Sequence, residues 1–367
     1  MNGYDSRRMS VRVGPAIRLL VGTSRWMAVP VSIGIVSRLF AIAIMAAIAV
    51  TRHVPPLAQL TRWDGAWYTR IALGGYHAAA VDGIHFDFAF FPAWPVLMRV
   101  ASLGVFPADL VGAVLANVLF VIGAVLAWRL LADRWDAATA TGAIGLLSFS
   151  PPAYVFSMAY SESLFLVAVA GAMLARRAWI AAAFGVVAGS TRLAGLALIA
   201  TGGAAIRAAR PHRRLILAAI VGALVGFALW VIWIAVLTGE PLAYFKASRA
   251  WLDILGFKTE LHRIRVQKLE YLARFAFVAF VVVGSALALR RDRQLGLFAV
   301  GVVGIAVASV ISVPIVSIAR YALPAFPAYA AVSERIGRRG TVLLIAVFAI
   351  AQVWFASWII APGREAP

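Results

Sequence analysis

Long apolar runs alternate with short polar or basic segments along nearly the whole chain. The runs lie near 29–51, 109–131, 137–151, 153–175, 178–206, 214–238, 271–289, 294–313, 320–334 and 340–360. A bilayer core takes about 20 apolar residues of helix, so the pattern predicts an all-α polytopic membrane helix bundle. Segment 89–106 (AFFPAWPVLMRVASLGVF) carries prolines and Arg99 and reads as a helix lying along the membrane surface. Run 178–206 is flanked by basic clusters on both sides, Arg176–Arg177 before it and Arg207, Arg210, Arg213 and Arg214 after it. A break at Gly189-Ser190-Thr191-Arg192 divides it into two short helices that return to the same side. Broken helices at membrane depth are tolerated where they line a cavity.

With these assignments there are about eleven membrane segments. Residues 1–28 form a basic cytoplasmic N-terminus, 29–360 a single transmembrane domain, and 361–367 an external tail. Two external loops are expected, 52–108 and 239–270. The first 28 residues hold five arginines and no apolar core before the first long run, so no cleavable leader is expected.

Composition agrees with lipid as the solvent. Of 367 residues 63% are hydrophobic and 13% charged, with mean hydropathy +0.91; soluble domains carry about 25% charge. A soluble globule could not hide so much apolar surface, and a disordered chain would not contain it. The net charge of +19 would suggest nucleic acid in a soluble protein. Here it works as a topology signal: nineteen of the 34 Lys and Arg fall in the cytoplasmic segments, and no nucleic-acid partner is expected. Cysteine is absent and the five histidines are scattered without HExxH spacing, so no metal site is expected.

Three segments carry candidate chemistry. The first, Arg62-Trp63-Asp64-Gly65-Ala66-Trp67-Tyr68-Thr69-Arg70-Ile71, opens the first external loop. Trp63, Trp67, Tyr68 and Ile71 recur at helical spacing, which predicts a short amphipathic helix ending at Gly74–Gly75. The plain reading of this helix is an aromatic anchor at the interface, with Asp64 as a solvated cap. Further along the loop, Asp82, His85 and Asp87 form a polar group that could hold a divalent cation but more often is simply hydrated.

The second segment, around Tyr160-Ser161-Glu162-Ser163, places Glu162 alone among fifteen acids inside an apolar run. A carboxylate there must be paired or face water. Its natural partners are Arg192, in the break, and Arg320, in Ser317-Ile318-Ala319-Arg320-Tyr321. Both guanidinium groups could instead grip a phosphate. Arg38 lies deep in the first span, where a structural pairing is at least as plausible. Neither GxxxxGK[ST], GxGxxG nor GxSxG occurs, so nucleotide-driven and serine-hydrolase chemistry are unsupported and no cofactor is expected.

These segments resemble the PIG-V family of mannosyltransferases, in the GT-C class of polytopic glycosyltransferases. The resemblance rests on Trp63-Asp64 with Trp67-Tyr68, Ile71-Ala72 and Gly75-Tyr76; on Ala89-Phe90-Phe91-Pro92 with Pro95; on Tyr160-Ser161-Glu162-Ser163-Leu164-Phe165; on Thr191-Arg192 with Gly195; and, more weakly, on Arg320-Tyr321 with Pro324 and Pro327. The matches run in family order from about residue 35 to 330. The stretch with Asp82, His85 and Asp87 departs from the family pattern, and its role stays open.

The resemblance implies a GT-C-type bundle that moves a sugar, usually mannose, from a polyprenyl-phosphate donor on the extracytoplasmic face. It places the catalytic carboxylate in the first external loop, which maps onto Asp64. On this reading Asp64 is the general base of an inverting displacement. Arg192 and Arg320 stabilise the departing phosphate, and Trp63, Trp67, Tyr68 and Tyr76 form a sugar platform. Tyr160, Glu162 and Tyr321 join them as substrate-binding candidates. The expected partners are membrane lipids, the polyprenyl-linked donor and a glycolipid, lipoglycan or protein acceptor, at the plasma membrane. The competing readings are a flippase for a polyprenyl-linked lipid, which predicts matched broken helices in two halves, and a non-catalytic envelope-assembly protein.

Overall fold

The computed structural model describes residues 15–81, 85–253, 264, 267–309 and 317–360; side chains are described from Met27 onward, apart from 249–253 and 359. The expected N-terminal segment before residue 15, the tail 361–367, Asp82 and much of the second loop therefore lie outside the described residues. Every regular element among the described residues is helical. In order, the α-helices of five or more residues are α1 (Pro15–Thr51), α2 (Asp64–Gly74), α3 (Ala93–Ser102), α4 (Ala108–Arg134), α5 (Ala137–Phe149), α6 (Glu162–Leu174), α7 (Ala178–Thr191), α8 (Arg210–Thr238), α9 (Ala243–Asp253), α10 (Lys268–Arg291), α11 (Arg293–Ala308), α12 (Ile318–Ala322) and α13 (Phe326–Ile359).

Five helical stretches are long and apolar enough to cross a membrane: Met27–Thr51, Ala108–Arg134, Arg210–Thr238, Lys268–Arg291 and Phe326–Trp358. This is the pattern of a multi-pass membrane protein. The others are shorter. Helices α5 and α6 have 13 residues each, α7 has 14 and α11 has 16. At 1.5 Å rise per residue these reach only ~20–24 Å, against a hydrocarbon core of ~30 Å. Helix α3 has ten residues and cannot span. Runs 320–334 and 340–360 belong to α12 and to α13, which is two helical segments that meet at a kink at Gly337. There φ is +68°, a conformation that glycine alone adopts without strain.

The sequence pattern misleads most at 153–175, which is not one continuous segment. Pro151–Pro152 ends the helical path, Ala153–Ser157 forms a 3₁₀ turn, and α6 begins only at Glu162. Backbone groups in this buried break take partners from other parts of the chain. Arg38 donates through Nη1 to the Ala153 carbonyl (2.8 Å) and to Ser157 Oγ (3.1 Å), and through Nη2 to the Ser148 carbonyl (3.0 Å). Its guanidinium lies 4.2 Å from the Phe120 ring centroid. Arg38 is thus a structural clasp. The Ala159 N–H donates to the Leu60 carbonyl (2.7 Å), and Trp94 Nε1 donates to the Ala159 carbonyl (2.9 Å). Loop and break therefore hold each other in register.

The second break falls where the glycine-rich pattern predicts it. Helix α7 ends at Thr191, Arg192 is extended, and a 3₁₀ turn follows over Leu193–Leu196. Helices α7 and α8 pack along each other at backbone contact: a Cβ on Gly189 would overlap the Ala223 carbonyl. A Cβ on Gly195 would strike the Ala188 carbonyl. The chain can fold back past Arg192 because position 195 has no side chain.

Candidate functional site

The two breaks and two short helices bring distant sequence segments to one point. Helix α2 presents Asp64 at its first position, and α6 presents Glu162 at its first position. Both carboxylates thus sit where the helix dipole favours negative charge. The α7 break supplies Arg192, and α12 supplies Arg320. Glu162 Oε1 is ion-paired with Arg192 Nη1 and lies 3.2 Å from Arg320 Nε. Arg320 Nη2 in turn lies 2.5 Å from Asp64 Oδ2. The result is an alternating chain, Arg192–Glu162–Arg320–Asp64. Its side chains are 7%, 2%, 6% and 20% exposed, so Asp64 is the most accessible member.

Aromatic rings frame this chain. The Tyr321 ring centroid is 5.2 Å from the Arg192 guanidinium and 5.1 Å from that of Arg320, and the Tyr160 ring is 5.0 Å from Arg320. Tyr68 OH lies 3.1 Å from Ser161 Oγ, tying α2 to the start of α6. Asp64, Tyr68, Arg192, Arg320 and Tyr321 line a cavity of about 160 Å³. Phe90 and Phe91 line it from the first loop, Leu193, Ile305 and Ala306 give it an apolar wall, and Tyr244, Ser248, Ser309 and Ser317 add hydroxyls. A space lined by guanidinium, carboxylate and aliphatic groups together suits an amphiphile with an anionic head.

The structure redistributes several expected roles. Of the four aromatics expected to form a platform, Tyr68 alone lines the cavity. Trp67 stacks on Phe90 with ring centroids 5.7 Å apart. Trp63 packs against the main core and stands at φ +58°, strained for a side chain of that size. Tyr76 packs its ring 4.7 Å from Trp230 and donates its hydroxyl to the Phe90 carbonyl (3.0 Å). Burial pushes its phenol well above the ordinary value, so it remains a neutral donor. Asp64 is not a solvated cap but an ion-pair partner. Tyr160 is buried behind Arg320.

The polar group of the first loop is divided. Asp87 is fully buried, accepts from the His77 backbone N–H (3.1 Å) and lies 2.8 Å from His77 Nδ1. His85 meets the edge of Trp67. Among the described residues no cluster of three or more His, Asp or Glu could hold a metal ion. His77 escaped the sequence reading because nothing in the spacing pairs it with Asp87, ten residues away across a loop. Tyr244 and Ser248 escaped it as well: α9 follows α8 in the stretch 239–270 and carries no motif.

No protein-family model matches the chain, and no curated protein matches it. Three solved structures of the oligosaccharyltransferase of Archaeoglobus fulgidus are similar to it. The one tethered to an acceptor peptide with the NVT sequon gives a TM-score of 0.49 at 13% identity, covering 90% of this chain and 54% of that one. The complex with zinc and sulfate gives 0.47 at 15% identity, with coverage of 89% and 53%. The complex with an inhibitory peptide and a dolichol-phosphate gives 0.48 at 12% identity, with coverage of 90% and 55%. The chain thus spans about half the length of each of these structures.

Proposed function

We propose that this chain is a polytopic membrane glycosyltransferase. It moves a sugar, mannose on the PIG-V resemblance, from a polyprenyl-phosphate carrier to a glycolipid, lipoglycan or protein acceptor. One observation carries this reading. Segments that bear the resemblance, at Asp64, Glu162, Arg192 and Arg320, converge on one ion-pair chain, and three of these residues line one cavity. The topology that accompanies it has about eleven membrane segments, a cytoplasmic N-terminus, and the cavity open to the extracytoplasmic face of the plasma membrane.

In the proposed reaction the acceptor hydroxyl attacks the anomeric carbon and passes its proton to Asp64, the general base. The bond from the anomeric carbon to the phosphate oxygen breaks, and the electron pair leaves with polyprenyl phosphate. Arg192 and Arg320 stabilise the charge that develops on that phosphate. Tyr68 and Tyr321 border the sugar, and the aliphatic wall at Leu193, Ile305 and Ala306 takes the first units of the lipid. A single displacement inverts the anomeric configuration. Phosphate is already a good leaving group, so neither a general acid nor a cofactor is needed.

The test is turnover. Purified protein in nanodiscs is given radiolabelled polyprenyl-phospho-mannose and membrane lipid acceptors. A mannosylated product of inverted anomeric configuration supports the proposal. Movement of the intact donor across a vesicle bilayer without sugar transfer would point to a flippase instead.

A further inference from the structure

In the site as folded, one oxygen of the carboxylate assigned as base is already engaged. Asp64 Oδ2 sits 2.5 Å from Arg320 Nη2. While that contact is made, a charged donor engages this oxygen, and an acceptor hydroxyl must compete with it for the same atom. Arg320 has more than one acceptor in reach: its Nε is 3.2 Å from Glu162 Oε1. Its Nη1 is buried and has no hydrogen-bond partner among the described residues. A buried guanidinium donor left unpaired is costly and calls for an acceptor. Both Arg320 and Asp64 face the cavity.

We infer that Arg320 is an exchange residue, handed from Asp64 to the phosphate of a lipid phosphate monoester or diester, which frees Asp64 as a base. Glu162 makes the exchange possible. It keeps Arg320 and Arg192 anchored from behind, so Arg320 changes partner without losing its place. The consequence is ordered binding: the donor loads first, and the acceptor is activated only afterwards. The inference rests on the phosphate role proposed above for Arg320, yet its test needs no sugar transfer.

The probe is farnesyl phosphate, with farnesol as control, bound to the purified full-length protein in nanodiscs. An exchanged pair taxes the ligand by the fraction of sites in which Arg320 is free. Asp64→Asn removes that tax, and farnesyl phosphate is expected to bind about tenfold tighter, while farnesol is unaffected. Removing a negative charge could also help an anion by simple repulsion, so the same substitution is made in an Arg320→Gln background. Exchange predicts that the gain disappears there; an equal gain in both backgrounds, or none in either, overturns it. A second measurement uses the wild-type chain. Carbodiimide labelling of Asp64, read by mass spectrometry, should rise when farnesyl phosphate is added, and unchanged labelling overturns the proposal. A gain by Asp64→Asn that vanishes in the Arg320→Gln background, in a protein that turns over no polyprenyl-phospho-sugar, would uphold the exchange and sink the transferase reading.

Discussion

Arg320 Nη2 lies 2.5 Å from Asp64 Oδ2 and joins residues 256 positions apart in the sequence. The contact links α2 to α12, and it fixes how the carboxylate must be tested. Asp64→Asn keeps the shape and the oxygen that faces Arg320 but cannot accept a proton. The expected outcome is a loss of glycosyl transfer of about 10²–10⁴-fold, the usual contribution of a general base, in a protein that still unfolds cooperatively in detergent. Retention of near-normal turnover would remove Asp64 from the base role.

The helical character and the membrane composition were legible in the sequence, because each follows from local pattern. The α2 helix with its glycine stop and the break at Arg192 are set by residues next to each other in the chain. What pattern could not show was partnership. Glu162 reads as a carboxylate in mid-span, because Tyr154, Val155, Phe156 and Leu164 around it are apolar whether or not the helix is continuous. The break depends on Trp94, Leu60 and Arg38, which meet it only in three dimensions. Likewise the aromatic spacing of α2 is satisfied equally by a sugar platform and by packing. The partners Phe90 and Trp230 decide for packing at Trp67 and Tyr76.

Arg38 holds two backbone carbonyls and a hydroxyl at the break between α5 and α6. Arg38→Ala orphans these acceptors in a dry interior, where an unsatisfied polar group costs ~1–3 kcal/mol. The expected loss is about 3 kcal/mol or more, seen as a lower unfolding midpoint and poor yield of folded protein. Arg38→Lys should recover little, because an ammonium group cannot reproduce the planar fork that spans these acceptors. Full recovery by Lys would mean that the positive charge matters there and the fork does not.

Asp136 caps α5 at the α4–α5 turn, accepting from the Ala138 and Thr139 N–H groups at 2.8 and 2.9 Å and from Thr139 Oγ1 at 2.6 Å. The bonds from Thr139 hold its carboxyl below the ordinary 3.8. A depressed folded value means that the charged form stabilises the native state. The contribution is complete above the unfolded value and is lost as pH falls through the folded one, below 3.8. Asp136→Ala is expected to cost ~1 kcal/mol at neutral pH, the usual worth of such a cap. Asp136→Asn should lose less at pH 7 and show a flatter acid limb below pH 4 in thermal unfolding. An identical acid limb in wild type and Asp136→Asn would exclude this carboxyl as its source.

Glu162 is where stability and site geometry meet, since one buried carboxylate serves two buried guanidinium groups. Removing it leaves Arg192 with no carboxylate and Arg320 with Asp64 alone. Breaking a buried pair from one side costs ~3–5 kcal/mol, because the remaining charge keeps its desolvation penalty. Glu162→Leu should therefore lower the unfolding midpoint sharply. Adding Arg192→Met removes the stranded charge and should restore much of the loss, giving a strongly non-additive double-mutant cycle. Arg320 keeps its contact with Asp64 in that double variant, so the fold should return while phosphate binding stays weak. If instead the two substitutions add independently, Glu162 and Arg192 are not coupled in the folded protein, and the ion-pair chain does not act as a unit.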